Sequence, residues 1–155
     1  KKAKMLTQNQ IVFFNSNGFL VVEDVLDQAT VLDPVRTEYA ALLDTVITTW
    51  VAQGQMQAPA ASDSFYDKLK LAYQAGCDLF QPMDISLPGN EIKSDTPMHF
   101  SKITFNFLTC PEVLDIIKDL IGPEITSNPI QHVRQKPPVP DLSASKVRAH
   151  IARTN

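Results

Sequence analysis

The stretch LTQNQIVFFNSNGFLVVEDVLD, residues 6–27, decides how the chain is read. Thr7-Gln8-Asn9-Gln10 has the spacing of a capping box, in which the Thr7 hydroxyl accepts from a free amide of the first turn while the Gln10 side chain reaches back to the amide of Thr7. Ile11, Phe13 and Phe14 supply an apolar side, and Asn17-Gly18 closes the helix because glycine enters the left-handed region without a Cβ penalty. Phe19-Leu20-Val21-Val22 then reads as a short β-rich strand, bounded by Glu23-Asp24. The predicted unit is helix, glycine stop, strand, and it points to an α+β chain.

Outward from this unit the helix signals continue. Asp33-Pro34 is a helix start, with Asp accepting from free amides and Pro at the first position lacking an N–H that would go unpaired. Val35, Tyr39, Leu42, Leu43, Val46 and Trp50 recur at helical spacing until Gly54, which predicts the longest helix and a core or partner-facing role for Trp50. QMQAPAAS, residues 55–62, is a loop, and Ser64 or Asp63 caps a helix that turns Phe65, Leu69, Ala72 and Tyr73 inward and ends at Gly76. Residues 80–89, with two prolines and a glycine, are predicted to be an ordered loop, and Met83 and Met98 to be core filler. Thr96-Pro97 predicts a helix over 98–108, and Thr109-Cys110-Pro111-Glu112 a second capping box ahead of Val113, Leu114, Ile116, Ile117 and Leu120. Residues 125–136 read as strand broken at Asn128-Pro129, and Ser143 or Ser145 as the cap of a short basic helix.

At 155 residues and 44% hydrophobic content the chain is sized for one domain with a real core, residues 1–155, with a basic C-terminal segment over 139–155. A net charge of −3 argues against nucleic acid as a partner, and no apolar run has the length of a membrane span. KKAKM followed by LTQNQ lacks the apolar stretch of a signal peptide, and Cys77 and Cys110 read as buried reduced thiols, so a soluble protein of a reducing compartment is expected. Five of the 14 basic side chains but one of the 17 acidic ones fall in residues 132–155, which favours anions near that end.

His99, His132 and His150 are the candidates for metal or acid–base work, yet none is followed two residues later by an acid, and no HExxH, GxSxG, P-loop or GxGxxG occurs. No catalytic residue and no metal ligand is assigned. The most chemically loaded stretch is Ile130 to Lys136. On a strand, alternation places Ile130, His132, Arg134 and Lys136 on one face, where Arg134 could grip a carboxylate with two parallel bonds and Lys136 act as a point charge; outward solvating charges on an edge strand are the plainer alternative.

Four stretches in order, 6–27, DPVRTEYAALLD (33–44), LTCPEVLDIIKDLIGPEI (108–125) and IQHVRQKPP (130–138), resemble the phytanoyl-CoA dioxygenase family of Fe(II)- and 2-oxoglutarate-dependent oxygenases. The resemblance implies the helix-rich N-terminal portion of a double-stranded β-helix, jelly-roll or cupin-like, with an incomplete barrel. It implies Fe(II) and 2-oxoglutarate as cofactors, neither held stably by these residues alone, and an iron-binding His-x-Asp lying beyond them. Lys136, Gln131 and His132 match positions that contact or line the cosubstrate or substrate pocket. The implied activity is hydroxylation of a small organic or acyl substrate. The alternative is an inactive family member serving as an accessory subunit, and in either case the remaining oxygenase domain or a partner protein is expected to cover open strand edges.

Overall fold

A computed structural model describes residues 5–77, 80–89, 91–128 and 130–135. Its elements are α1 (Gln8–Asn17), a single π turn (Gln28–Leu32) running into α2 (Asp33–Ala52), α3 (Phe65–Gln74), a 3-10 turn (Gln81–Met83), α4 (Lys102–Leu108) and α5 (Pro111–Ile121). The chain divides into two compact units, one of residues 1–42 and 81–133 and one of residues 43–80 and 134–155.

The expected α+β architecture is not what forms: the structure is helix-rich and no strand, hence no β-helix or jelly-roll, occurs among the described residues. The physical reason lies in the backbone partners. A strand exists through a ladder, and Phe19 to Val22 finds none: Phe19 and Val21 stand exposed while Leu20 and Val22 are half-buried, so the period-2 pattern is present without a neighbouring strand. In residues 130–133 the amides are taken by side chains instead. Ile130 N donates to Asn128 Oδ1, Gln131 N to Ser86 Oγ and Val133 N to Asp84 Oδ1. With no strands there are no strand edges here for a partner to cover.

In the first unit α1 begins as expected. The Thr7 hydroxyl accepts from Gln10 N, the Gln10 side chain accepts from Thr7 N, and Gly18 closes the helix at φ 76° with its amide on Phe14 O. The Phe19 ring folds back edge-on to Phe13 at 5.5 Å. α1 lies against α5, and Leu6 N donates to the Asp119 carboxylate at 2.7 Å. The helical run containing α2 starts earlier than Asp33-Pro34 suggests. Asp27 is the cap, accepting from Thr30 N and Thr30 Oγ1, and the π turn carries the chain into Pro34, whose missing N–H is harmless there.

α4 starts later than Thr96-Pro97 predicts, because Pro97 O accepts from Gln81 Nε2 and His99 N donates to Asp84 O, which holds residues 97–99 extended until Ser101 caps the helix through Thr104 N. α5 starts at Pro111 as expected, but no capping box forms. The Thr109 hydroxyl turns back to Phe105 O, and Cys110 stands at the cap without a side-chain bond.

The second unit holds the larger share of the apolar core. Leu43, Val46, Ile47 and Trp50 on one stripe of α2 are buried, as are Leu69, Ala72, Cys77 and Phe80. The Phe80 ring meets Trp50 edge-on at 5.4 Å and Tyr73 at 5.4 Å. Ser64 and Asp67 form the capping box of α3, Lys68 pairs with Asp44 at 2.7 Å, and Cys77 N closes on Ala72 O. Trp50 and Met83 are core, as the spacing and composition predicted. The expected basic helix and the 139–155 segment lie outside the described residues.

Leu43 is fully enclosed, so Leu43→Ala is expected to cost about 2–5 kcal/mol. At the exposed position Thr48, replacement by Ala should change stability by less than about 0.5 kcal/mol. Urea midpoints of the two variants measure both.

Candidate functional site

The polar chemistry of the first unit gathers around residue 84. Asp84, directly after the 3-10 turn, keeps 9% of its side chain exposed and accepts three hydrogen bonds: Ile85 N at 2.8 Å and Val133 N at 2.9 Å on Oδ1, and His132 Nδ1 at 2.7 Å on Oδ2. A carboxylate with donors on both oxygens is acceptor-only, which makes Nδ1 the protonated nitrogen of His132. Nε2 has no hydrogen-bond partner among the described residues. Ser86 completes the attachment by accepting from Gln131 N at 3.0 Å.

A second imidazole–carboxylate pair lies next to the first. Glu38 on α2 accepts from His99 Nε2 at 2.8 Å, and His99 N donates to Asp84 O at 2.7 Å, so the two pairs share the Asp84 backbone. Burial pushes the Glu38 carboxyl up, but the bonds from His99 and Ser101, the charge of His99 and the Thr104 hydroxyl outweigh it and hold Glu38 below the ordinary carboxylate range. The Tyr39 ring stands edge-on to His99 at 6.0 Å. Burial, with the Glu38 and Asp84 charges adding to it and the Thr104 hydroxyl opposing it, pushes the Tyr39 phenol up. Tyr39 OH and Thr104 Oγ1 are buried without a bond of good geometry, although the Thr104 hydroxyl lies near both the phenol and the Glu38 carboxylate.

Of the residues singled out in the sequence, His132 and Gln131 are half-buried on this strap, and Lys136 lies outside the described residues. The Gln131 amide group is committed locally, donating to Ser127 Oγ and Asn128 O, and His132 keeps Nε2 for another partner. Strand alternation does not hold: Ile130 and Arg134 are exposed, whereas Gln131, His132 and Val133 are all half-buried. Sequence reasoning missed Asp84, Glu38 and the pairing of His99. The one local signal for Asp84 was its place in a punctuated loop rich in chemistry-neutral neighbours. Among the described residues no three His, Cys, Asp or Glu side chains gather in a way that could hold a metal ion, and no helix is long and apolar enough to cross a membrane.

The Glu38 carboxylate is better accommodated in the fold than in the unfolded chain, so its contribution is present above about pH 4.3 and is lost as the pH falls through its lowered folded value. Glu38→Gln is expected to lower stability at neutral pH by about 1–2 kcal/mol and to flatten the acid limb of the stability curve. Tyr39 has the opposite sense: its buried phenol favours the fold below about pH 10, and that contribution is lost as the pH rises through its raised value. Chemical denaturation at a series of pH values, with Tyr39→Phe for the alkaline limb, reads both.

Comparison with known proteins finds no matching family model, no matching curated protein and no matching solved structure.

Proposed function

We propose that this chain is the helix-rich N-terminal part of a non-haem Fe(II)- and 2-oxoglutarate-dependent dioxygenase of the phytanoyl-CoA dioxygenase type, which hydroxylates a small organic or acyl substrate. The order of the stretches 6–27, 33–44, 108–125 and 130–138 supports this reading. The observation that carries it structurally is the state of α5. This helix has a well-formed apolar side, Val113, Leu114, Ile116, Ile117 and Leu120, yet none of its residues is buried. An amphipathic helix is stabilised by covering that side, so α5 is built to pack against more protein than the described residues supply.

The described residues do not fit the iron, because they assemble no set of three ligands, so the metal would be held by other residues of the enzyme. What this chain offers is the strap at 131–133, where His132 is oriented by Asp84 with Nε2 left over. Gln131 is held by its own backbone neighbours.

A second reading, an inactive family member acting as an accessory subunit, is favoured by the exposed aromatic side chains Phe100, at 83%, and Phe105, at 65%, which a partner protein would cover. Two measurements on the protein isolated from its native source separate the readings: the intact polypeptide mass, and Fe(II)-dependent formation of succinate from 2-oxoglutarate. The oxygenase reading expects succinate, together with a mass above 17.2 kDa or a complementing chain. A lone 17.2 kDa chain forming no succinate overturns it, and the same chain held in a stable complex without activity supports the accessory role.

A further inference from the structure

We infer that the Asp84 carboxylate is an acid-released latch: ionised, it holds the strap of residues 131–133 against residues 84–86, and on taking up a proton it lets that strap go. Three bonds join the two segments. Two of them end on this one carboxylate, Val133 N on Oδ1 and His132 Nδ1 on Oδ2, and the third is Gln131 N on Ser86 Oγ. The strap has no helix or sheet ladder of its own to fall back on.

The donor geometry leaves no room for an acid proton. Oδ1 already faces two amide N–H groups and Oδ2 faces an imidazole N–H, so a hydrogen on either oxygen points a donor at a donor. In acid the imidazole carries hydrogens on both nitrogens, and His132 cannot turn Nδ1 into an acceptor to relieve the conflict. At least one bond to the strap is therefore lost on protonation, and the remaining ones weaken because they no longer end on a charge.

The surrounding groups do not take over. From α2, Tyr39 stands close enough to feel the Asp84 charge but is neutral throughout the acid range. Glu38, also on α2, is engaged with His99, and His99 reaches Asp84 through its backbone amide on the Asp84 carbonyl, a bond that does not depend on the carboxylate. On the strap itself His132 is the titratable group that faces it. The residues that move are Gln131 and His132, so the latch decides whether the oriented imidazole is presented at all.

The test is amide hydrogen exchange and ring-nitrogen NMR on the whole chain between about pH 6 and about pH 3, the range in which carboxylates titrate. In the wild type the protection factor of the Val133 amide should fall about ten- to a hundredfold, the loss of a charge-assisted bond, while amides within α1 and α2 keep theirs. In Asp84→Asn the Val133 protection should not change over that range, and at neutral pH the His132 proton should sit on Nε2, because the Asn amide group now donates to Nδ1. His132→Gln retains Asp84 and its backbone donors, so its acid step at Val133 should persist, which keeps the test standing if the Asn variant fails to fold. Unchanged Val133 protection in the wild type, an equal fall in Asp84→Asn, or a simultaneous loss of protection throughout the helices overturns the latch.

Discussion

A carboxylate taken almost out of water must be surrounded by donors, and the first unit is arranged around that requirement at Asp84. Leaving such a charge unpaired would cost several kcal/mol, so the stretches able to supply N–H groups are drawn to it. Those donors come from Ile85, from Val133 and from His132, while the same residue's backbone carbonyl collects His99. Segments with no regular structure thereby acquire fixed positions. The bonds that would otherwise form a sheet ladder are replaced by side-chain acceptors, Asp84 for Val133 and Ser86 for Gln131, and the price is that irregular backbone depends on a few ionisable or hydroxylic groups.

The two units rest on different physics. The second is held by apolar packing: a stripe of α2, two residues of α3 and an aromatic set around Phe80 exclude water in the ordinary way. In the first, the buried residues Leu6, Tyr39 and Met83 are matched by the buried polar residues Asp84, Ser86 and Thr104, and α5 buries nothing fully. A unit with so little apolar burial and so many polar constraints is the one in which conformational response to pH and to further protein contacts is to be found. It is also the unit that carries both imidazole–carboxylate pairs.

Much of the helical framework was legible in the residues. Thr7 with Gln10 and Ser64 with Asp67 announce their helices because the whole capping interaction is contained within four residues, and Gly18 and Gly76 announce the ends because a positive φ is a property of one residue. Misreadings arose where a local signal was overruled by a distant partner. Thr96-Pro97 looks like a cap, but Gln81 and Asp84 hold the following backbone extended. Asp33-Pro34 looks like a start, but Asp27 with Thr30 captures the chain one turn earlier.

The sequence by itself determined the capped helices, their glycine stops and the buried stripe of α2, since these follow from interactions within a few residues or from a repeat of 3.6. Whether Phe19 to Val22 and residues 130–135 became strands was never a local matter, because a strand needs a ladder partner that no short stretch contains. The pairing of His99 with Glu38, 61 residues apart, and of His132 with Asp84, 48 residues apart, was likewise decided by tertiary structure alone. Burial turned isolated histidines and loop acids into oriented pairs, and burial is a property of the folded chain.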